Sequence, residues 1–218
     1  MKFMEEVLKE NEEIWERWLQ VPFLQKMING TLEKKLFKSH LIQDSLYLRD
    51  YLKVFAYAMT KVNTLKDMKR YYMLLGYVDE GENATRIRYL NEFGLDDETI
   101  DTIERKKQCR AYGDFLNKIG KNGTEEEILM AMLPCMVGYR YVFEELKLQA
   151  PHLLEGYYAP LIQDYTTEEY GIMCDQWLNI TERACSGLTD KQKEELKAIF
   201  KQASLHELYF WQMAGEEE

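Results

Sequence analysis

The chain is short of several things, and each shortage closes off a class of function. Histidine occurs three times in 218 residues, at His40, His152 and His206, on separate segments and without any HExxH or repeated ExxH pairing. Metal sites built on imidazole, including the paired Glu-x-x-His sites of di-iron bundles, are therefore poorly supported. The four cysteines, Cys109, Cys135, Cys174 and Cys185, lie far apart with no CxxC pair. They read as reduced thiols of a cytoplasmic protein, neither a disulfide framework nor a zinc cage. No apolar run approaches the roughly 20 residues of a membrane span. The N-terminal MKFMEEVLKENEEIWERW is too charged to hold a signal-peptide core. Basic residues are outnumbered, 28 Lys and Arg against 38 Asp and Glu, for a net charge of −10. That balance argues against nucleic acid, whose binding needs clustered cations to displace counterions, and against an anionic membrane surface. Glycine-rich phosphate loops and GxSxG elbows are absent. No segment alternates apolar and polar residues for long enough to make a strand, and there is no repeat, low-complexity tract or flexible linker.

What is there is helical periodicity from end to end. Phe3, Val7, Ile14, Trp15, Trp18 and Leu19 mark one face of a first helix. Pro22 opens a short one that stops at Asn29-Gly30. Thr31 is expected to cap a long helix over about 32–62, and a second long helix reaches about Asn91 before Gly94. Shorter pieces follow over 97–104 and about 106–119. Thr124 with Glu127, Thr166 with Glu169, and Thr189 with Gln192 have capping-box spacing and start three further helices, the last running to Ala214. Pro160 opens the segment ahead of the second box. The expectation is one all-α domain, residues 1–218, of about eight helices.

The helix from Glu125 to Leu146, EEEILMAMLPCMVGYRYVFEEL, organises the rest. Between Ile128 and Val142 only Pro134, Gly138 and Arg140 fall outside the apolar and aromatic set. A helix apolar nearly all round belongs at the centre of a bundle. Pro134 removes a backbone donor there, at about 3 kcal/mol, and is expected to kink the helix next to Cys135. Breaks of local rules concentrate at functional sites, although a structural kink beside an inert buried thiol accounts for the same residues.

Faces three, four and seven residues apart bring other groups into view. Asp44 shares a face with Tyr47, Leu48 and Tyr51; Cys135 with Tyr139 and Val142; Glu207 lies beside Phe210 and Trp211. A carboxylate within an apolar stripe is costly unless paired. Three helices thus each carry one reactive group among aromatic rings. Asp44 and Glu207 as plain surface charges, and the tyrosines as core, remain open on this evidence. Tyrosine is heavily used, 15 of 218 residues, and its flat face and polar tip suit a slot for a planar ring.

PFLQKMINGTL, LIQDSLYL, MLPC with Tyr139, and HELYFWQMA together resemble the TenA family, also called thiaminase II or aminopyrimidine aminohydrolase, in order and spacing over essentially the whole chain. The resemblance implies a haem-oxygenase-like all-helical fold used without haem or other cofactor and without metal, in a homotetramer. It implies an aminopyrimidine or thiamin as the small-molecule substrate. On the cysteine-bearing branch, Cys135 matches the nucleophile, Asp44 the carboxylate that binds the aminopyrimidine, and Glu207 the one that transfers protons. Tyr47, Tyr112, Tyr139 and Tyr165 match positions lining the pocket. The chain departs from the family at Val21, where histidine is frequent, and in RIRYLNEFG, where a histidine toward the end of a helix is missing.

The chemistry needs one soft nucleophile, carboxyl groups that move protons, and a flat slot. A thiolate adds to the ring carbon next to a protonated ring nitrogen, the adduct expels the group on the exocyclic methylene, water adds there, and the thiolate leaves. Two rivals differ in class. One is a haem-oxygenase-like oxidase, which iron analysis would separate. The other is a non-catalytic binding or regulatory protein, against which the missing basic recognition helix weighs.

Overall fold

The computed structural model describes residues 2–80 and 82–216, with the backbone alone at 74–80 and 82–83. The first expected helix is two, α1 (Phe3–Glu10) and α2 (Glu12–Leu19). The break is at Asn11, whose N–H turns back to the Leu8 carbonyl and whose buried Nδ2 donates to the Val7 carbonyl at 2.8 Å. Asparagine offers such local alternatives to the helical ladder, so apolar periodicity continues across a break it does not reveal.

α3 (Pro22–Ile28) begins on its proline and is followed by Asn29 and Gly30, the latter with a φ of +67° in the left-handed region that favours glycine. Thr31 does not cap the next helix. Its N–H and hydroxyl both return to the Lys26 carbonyl, and α4 (Lys34–Lys61) starts behind Glu33 without a side-chain cap. The second long helix is assigned as α5 (Leu65–Glu80) and α6 (Glu82–Glu92), with Gly81 between them outside the described residues. Then come α7 (Asp97–Asp101), shorter than expected, and α8 (Lys107–Asn122).

The central helix α9 (Glu125–Gln149) opens on the Thr124–Glu127 box and remains helical through Pro134. Pro151 starts a 3-10 turn to Glu155 that the sequence reading did not contain. α10 (Ala159–Tyr165) follows. α11 (Glu168–Ala184) is capped one residue later than expected, by Thr167, whose hydroxyl accepts from the Tyr170 N–H; Thr166 instead donates to the Ile162 carbonyl at 2.9 Å. α12 (Asp190–Ala214) opens on the Thr189–Gln192 box and stops at Gly215. Among the described residues there are therefore twelve α-helices and one 3-10 turn, not about eight helices, and no strand. None of these helices is long and apolar enough to cross a membrane.

α9 lies in the middle, packed mainly on α12 and α11, while α4 packs on α8 and α5 and reaches α9 and α12 with its inner face. From Ile128 to Tyr139 every residue of α9 except Cys135 is buried. Two tyrosines donate to carbonyls on either side of Pro134, Tyr51 to Met132 at 3.4 Å and Tyr170 to Met136 at 3.0 Å. They tie α4 and α11 to the turn that carries Cys135.

Close approach is enforced at Gly138. A Cβ there would lie 2.4 Å from the Trp18 ring, whose Nε1 is anchored on the Ser204 carbonyl at 3.1 Å. Gly138→Ala should gain about 1 kcal/mol of helix propensity and lose about 1–3 kcal/mol by overpacking a fixed indole. Net destabilisation is expected, read as a lower urea midpoint; an unchanged or higher midpoint would show that Trp18 moves freely.

The outer side of α4 carries a buried Asp50. It is held by Arg105 and by Asn117 Nδ2 at 2.8 Å, and Arg105 also donates to the Leu46 carbonyl at 2.8 Å. Burial alone would raise the carboxyl's pKa, but hydrogen bonds from Asn117 and Arg105, with the Arg105 charge, hold it below the usual value. Gly113 leaves room for this cluster, since a Cβ there would meet the carboxylate at 2.2 Å.

Candidate active site

Helical spacing on α4 lines up His40, Asp44, Tyr47 and Tyr51 on the face turned to the centre. On α9 the same rule puts Cys135, Tyr139 and Phe143 in a row. On α12 it puts Glu207 beside Phe210 and Trp211. Packing of α12 on α9 sets Glu207 behind Cys135, and the Cys135 thiol is a hydrogen-bond partner of its carboxyl. In front of the thiol lies a cavity of about 50 Å³. Its wall includes His40, Asp44, Cys135, Tyr139, Tyr165 and Arg86.

The seven residues singled out in the sequence share this region in two layers. Asp44, Cys135, Tyr139 and Tyr165 face the cavity, with Asp44, Cys135 and Tyr165 half-buried. Tyr139 and Tyr165 have centroids 5.0 Å apart, and Phe143 stacks on Tyr165 at 4.9 Å and 9°. Glu207, Tyr112 and Tyr47 form the layer behind. The Tyr112 hydroxyl donates to Glu207 Oε1 at 2.8 Å, and the Tyr47 ring lies 4.7 Å from that of Tyr112. The Tyr47 hydroxyl is near that of Tyr112 yet makes no hydrogen bond of ordinary geometry to a described residue.

Burial sets the charges. Glu207, 2% exposed, has its pKa pushed up to about 8 by burial and by the charge of Asp44, against the opposing hydrogen bonds from Tyr112 and Cys135. Asp44 is raised to about 6 by burial, moderated by the Arg86 cation. Near pH 7, Glu207 therefore carries a proton and Asp44 does not. An ordinary carboxylate is far too weak a base to hold a thiol proton, and one raised to about 8 is a much stronger base. Once Glu207 has lost its own proton, it can take up the one on the Cys135 thiol that hydrogen-bonds to it. The pair can pass one proton back and forth, activating sulfur in one direction and supplying an acid in the other. The hydroxyls of Tyr47, Tyr112 and Tyr139 are pushed well above their normal range, first by burial, and stay protonated as donors.

The other cysteines sit differently. Cys109, Cys174 and Cys185 are buried, and burial pushes Cys109 and Cys185 up to about 12. Brief exposure to a small alkylating agent followed by peptide mapping should label Cys135 first. Equal labelling at all four would contradict the reactive environment described for it. Among the described residues no three His, Cys, Asp or Glu side chains gather in a way that could hold a metal ion.

Sequence reasoning missed Arg86, Phe143, Asp164 and Tyr170 as pocket residues. Arg86 comes from RIRYLNEFG, the stretch noted for its missing histidine, and donates to Ser45 Oγ at 2.5 Å beside Asp44. Phe143 was legible, eight residues beyond Cys135 on one face; Arg86 and Asp164 carry no local signal.

The helical arrangement is a haem-oxygenase-like fold. Haem oxygenase from Leptospira interrogans matches it with a TM-score of 0.61 at 15% identity, over 97% of this chain and 99% of that one. A structure described as a TenA family transcription regulator from a Silicibacter species matches at 0.88 and 23% identity, over 99% and 97%. Within that class, residues 8–217 match the TENA/THI-4/PQQC family, and the chain belongs to it. A protein of Halalkalibacterium halodurans named aminopyrimidine aminohydrolase is 29% identical over 217 residues, 100% of this chain and 97% of that one.

Proposed function

We propose that the chain is a hydrolase of thiamin salvage that replaces the amino group on the methylene of 4-amino-5-aminomethyl-2-methylpyrimidine by hydroxyl, with thiamin cleavage as a weaker activity. The observation that carries this reading is a half-exposed thiol at the wall of an aromatic cavity, hydrogen-bonded to a carboxyl that burial keeps protonated. The similarity to a named aminopyrimidine aminohydrolase supports it.

In this reading the pyrimidine lies among Tyr139, Tyr165 and Phe143. Ionised Asp44 accepts from the 4-amino group. The Cys135 thiol adds through its sulfur to the ring carbon beside the methylene-bearing one, and the thiol's proton ends on a ring nitrogen. The carbon–nitrogen bond of the aminomethyl group breaks, and ammonia departs with a proton from Glu207. Water adds to the methylene and returns a proton to Glu207. The carbon–sulfur bond then breaks, the ring nitrogen gives its proton back to the Cys135 sulfur, and the aromatic ring is restored. Tyr112 and Tyr47 orient Glu207 from behind.

Residues 1–218 act as one domain in a cytoplasmic homotetramer. An apolar stripe on α5 supports self-association: Leu65, Tyr72 and Met73 are 67%, 68% and 73% exposed and lie on one side of the helix. Light scattering is expected to give about four protomers of 26.0 kDa, and Tyr72→Glu to lower that mass; a monomer at micromolar concentration would end the oligomer proposal. For the activity, the protein is incubated with the aminomethylpyrimidine, and separately with thiamin, in isotopically labelled water. Labelled hydroxymethylpyrimidine and free ammonia are expected. Absence of both from active-site-intact protein would refute the assignment.

A further inference from the structure

Among the described residues, Arg86 is what α6 contributes to the cavity wall, and it reaches across to α4. Its Nη1 donates at 2.5 Å to the hydroxyl of Ser45, the residue after Asp44. Ser45 is buried, and its own proton goes to the Leu41 carbonyl one turn back at 2.7 Å. A mid-helix serine bonded in this way presents lone pairs to its neighbours, and guanidinium, which only donates, is matched to them. The bond ties a half-buried arginine to the segment of α4 that carries Asp44, and both residues line the cavity.

Guanidinium keeps its charge at any working pH. Burial favours the neutral form of Asp44, and the charge of Arg86 opposes it. The other groups around Asp44 are differently occupied. Near pH 7 Glu207 of α12 carries its proton, Cys135 of α9 is hydrogen-bonded to that carboxyl, and burial keeps His40 of α4 neutral. Cys109 of α8, which feels the Asp44 charge, is held as a thiol by burial. Tyrosine hydroxyls carry no charge in this range. Asp164 of α10, the second carboxyl at the wall, has partners of its own in the Thr85 hydroxyl and the Arg88 charge.

We propose that Arg86 is a positioning residue: tied to α4 through Ser45, it keeps Asp44 in the ionised form that accepts from the substrate's amino group. This rests on the aminopyrimidine reading above. Arg86 touches no reacting atom in this scheme. Its influence is confined to the pH range in which Asp44 would otherwise take up a proton. An opposite charge a few ångströms from a carboxyl lowers its pKa by about 1–3 units, so without Arg86 the binding form should disappear at least about one pH unit sooner on acidification.

The probe is the reaction product, 4-amino-5-hydroxymethyl-2-methylpyrimidine, with binding measured by calorimetry across the acid and neutral range. The probe's own titration is common to every variant and cancels in the comparison. Wild-type affinity is expected to fall around pH 6 as Asp44 is neutralised. Arg86→Gln can still donate to Ser45 but has no charge, and its fall should be centred about one unit higher. Affinity is then about fivefold below wild type near pH 6 and within about twofold near pH 8. Arg86→Met, also neutral, should shift alike, whereas Arg86→Lys should recover at least half of the shift. A midpoint unmoved in either neutral variant overturns the proposal. So does a loss of equal size at every pH, which is what a purely structural arginine would give, or a lysine variant shifted as far as the neutral ones. If one neutral variant does not fold, the other decides. If wild-type protein neither binds the probe nor turns over the aminomethylpyrimidine, the activity reading falls and this inference with it. If wild type does both and the variants follow its pH curve, this inference alone fails.

Discussion

Cys135→Ser is expected to fold like the parent, to bind the aminopyrimidine, and to turn it over at least about 10⁴-fold more slowly. The replacement is nearly isosteric at a half-buried position, so packing changes little. What changes is ionisation. The Glu207 carboxylate, raised to about 8, is basic enough to take up a thiol proton. A serine hydroxyl is so much less acidic that the same carboxylate leaves almost no alkoxide, and no adduct forms. Steady-state kinetics with separate measurement of product binding check both halves. Serine enzyme retaining more than a tenth of the turnover would mean that no covalent step passes through Cys135.

Glu207→Gln has the second largest expected effect, and it acts on both rate and stability. Glutamine keeps the shape and can still accept from Tyr112, but it supplies no proton, so turnover should drop about 10²–10⁴-fold with affinity little changed. Asp44→Asn differs in kind: it removes an ionic acceptor, so binding should weaken first. It also removes a charge that helps keep Glu207 protonated, so the alkaline limb of the remaining activity should move to lower pH. In the parent that limb is expected to follow Glu207, near 8, and the acid limb Asp44, near 6. The stability effect follows from the same protons. The Glu207 pKa is higher folded, about 8, than unfolded, near 4.5. The folded state therefore binds the proton more tightly. The stabilisation is complete below about 4.5 and is lost as pH rises through 8. Glutamine does not titrate, so relative to the parent the variant should gain a few kcal/mol between pH 5 and 9. Urea unfolding across that range measures it. Parallel curves for parent and variant would show that Glu207 is not held protonated by the fold.

Much of the fold was legible because its signals are local. Pro22, the Thr124 and Thr189 boxes, and the Asn29-Gly30 stop are decided within four residues of themselves, and they stand where expected. The misplaced boundaries are local too, but they turn on competition. Thr166 and Thr167 both offer a hydroxyl, and only the chain's path decides which one meets the Tyr170 N–H. Asn11 keeps its place in the apolar rhythm while breaking the helix beneath it. The grouping of the candidate site was readable as three helix faces, each with one reactive residue among rings. That Arg86 closes the cavity beside Asp44, or that His40 lies on Trp211, depends on which helices meet, and no spacing encodes it.

The two aspartates of α4 give the chain a separation between switching off and falling apart. Asp44 gives up its charge near pH 6, whereas Asp50, clasped by Arg105 and Asn117, keeps its charge to below the ordinary range. A group held low in the folded state adds stability above its unfolded pKa and withdraws it only as pH falls through the lower folded value. Glu207, moving the other way, favours the folded form as acid is added. Mild acidification thus neutralises the carboxylate proposed to bind substrate while the clasp on the far side of the same helix is untouched. Molecules carried through an acidic interval would be dormant and still folded, and would resume work on neutralisation without a refolding step.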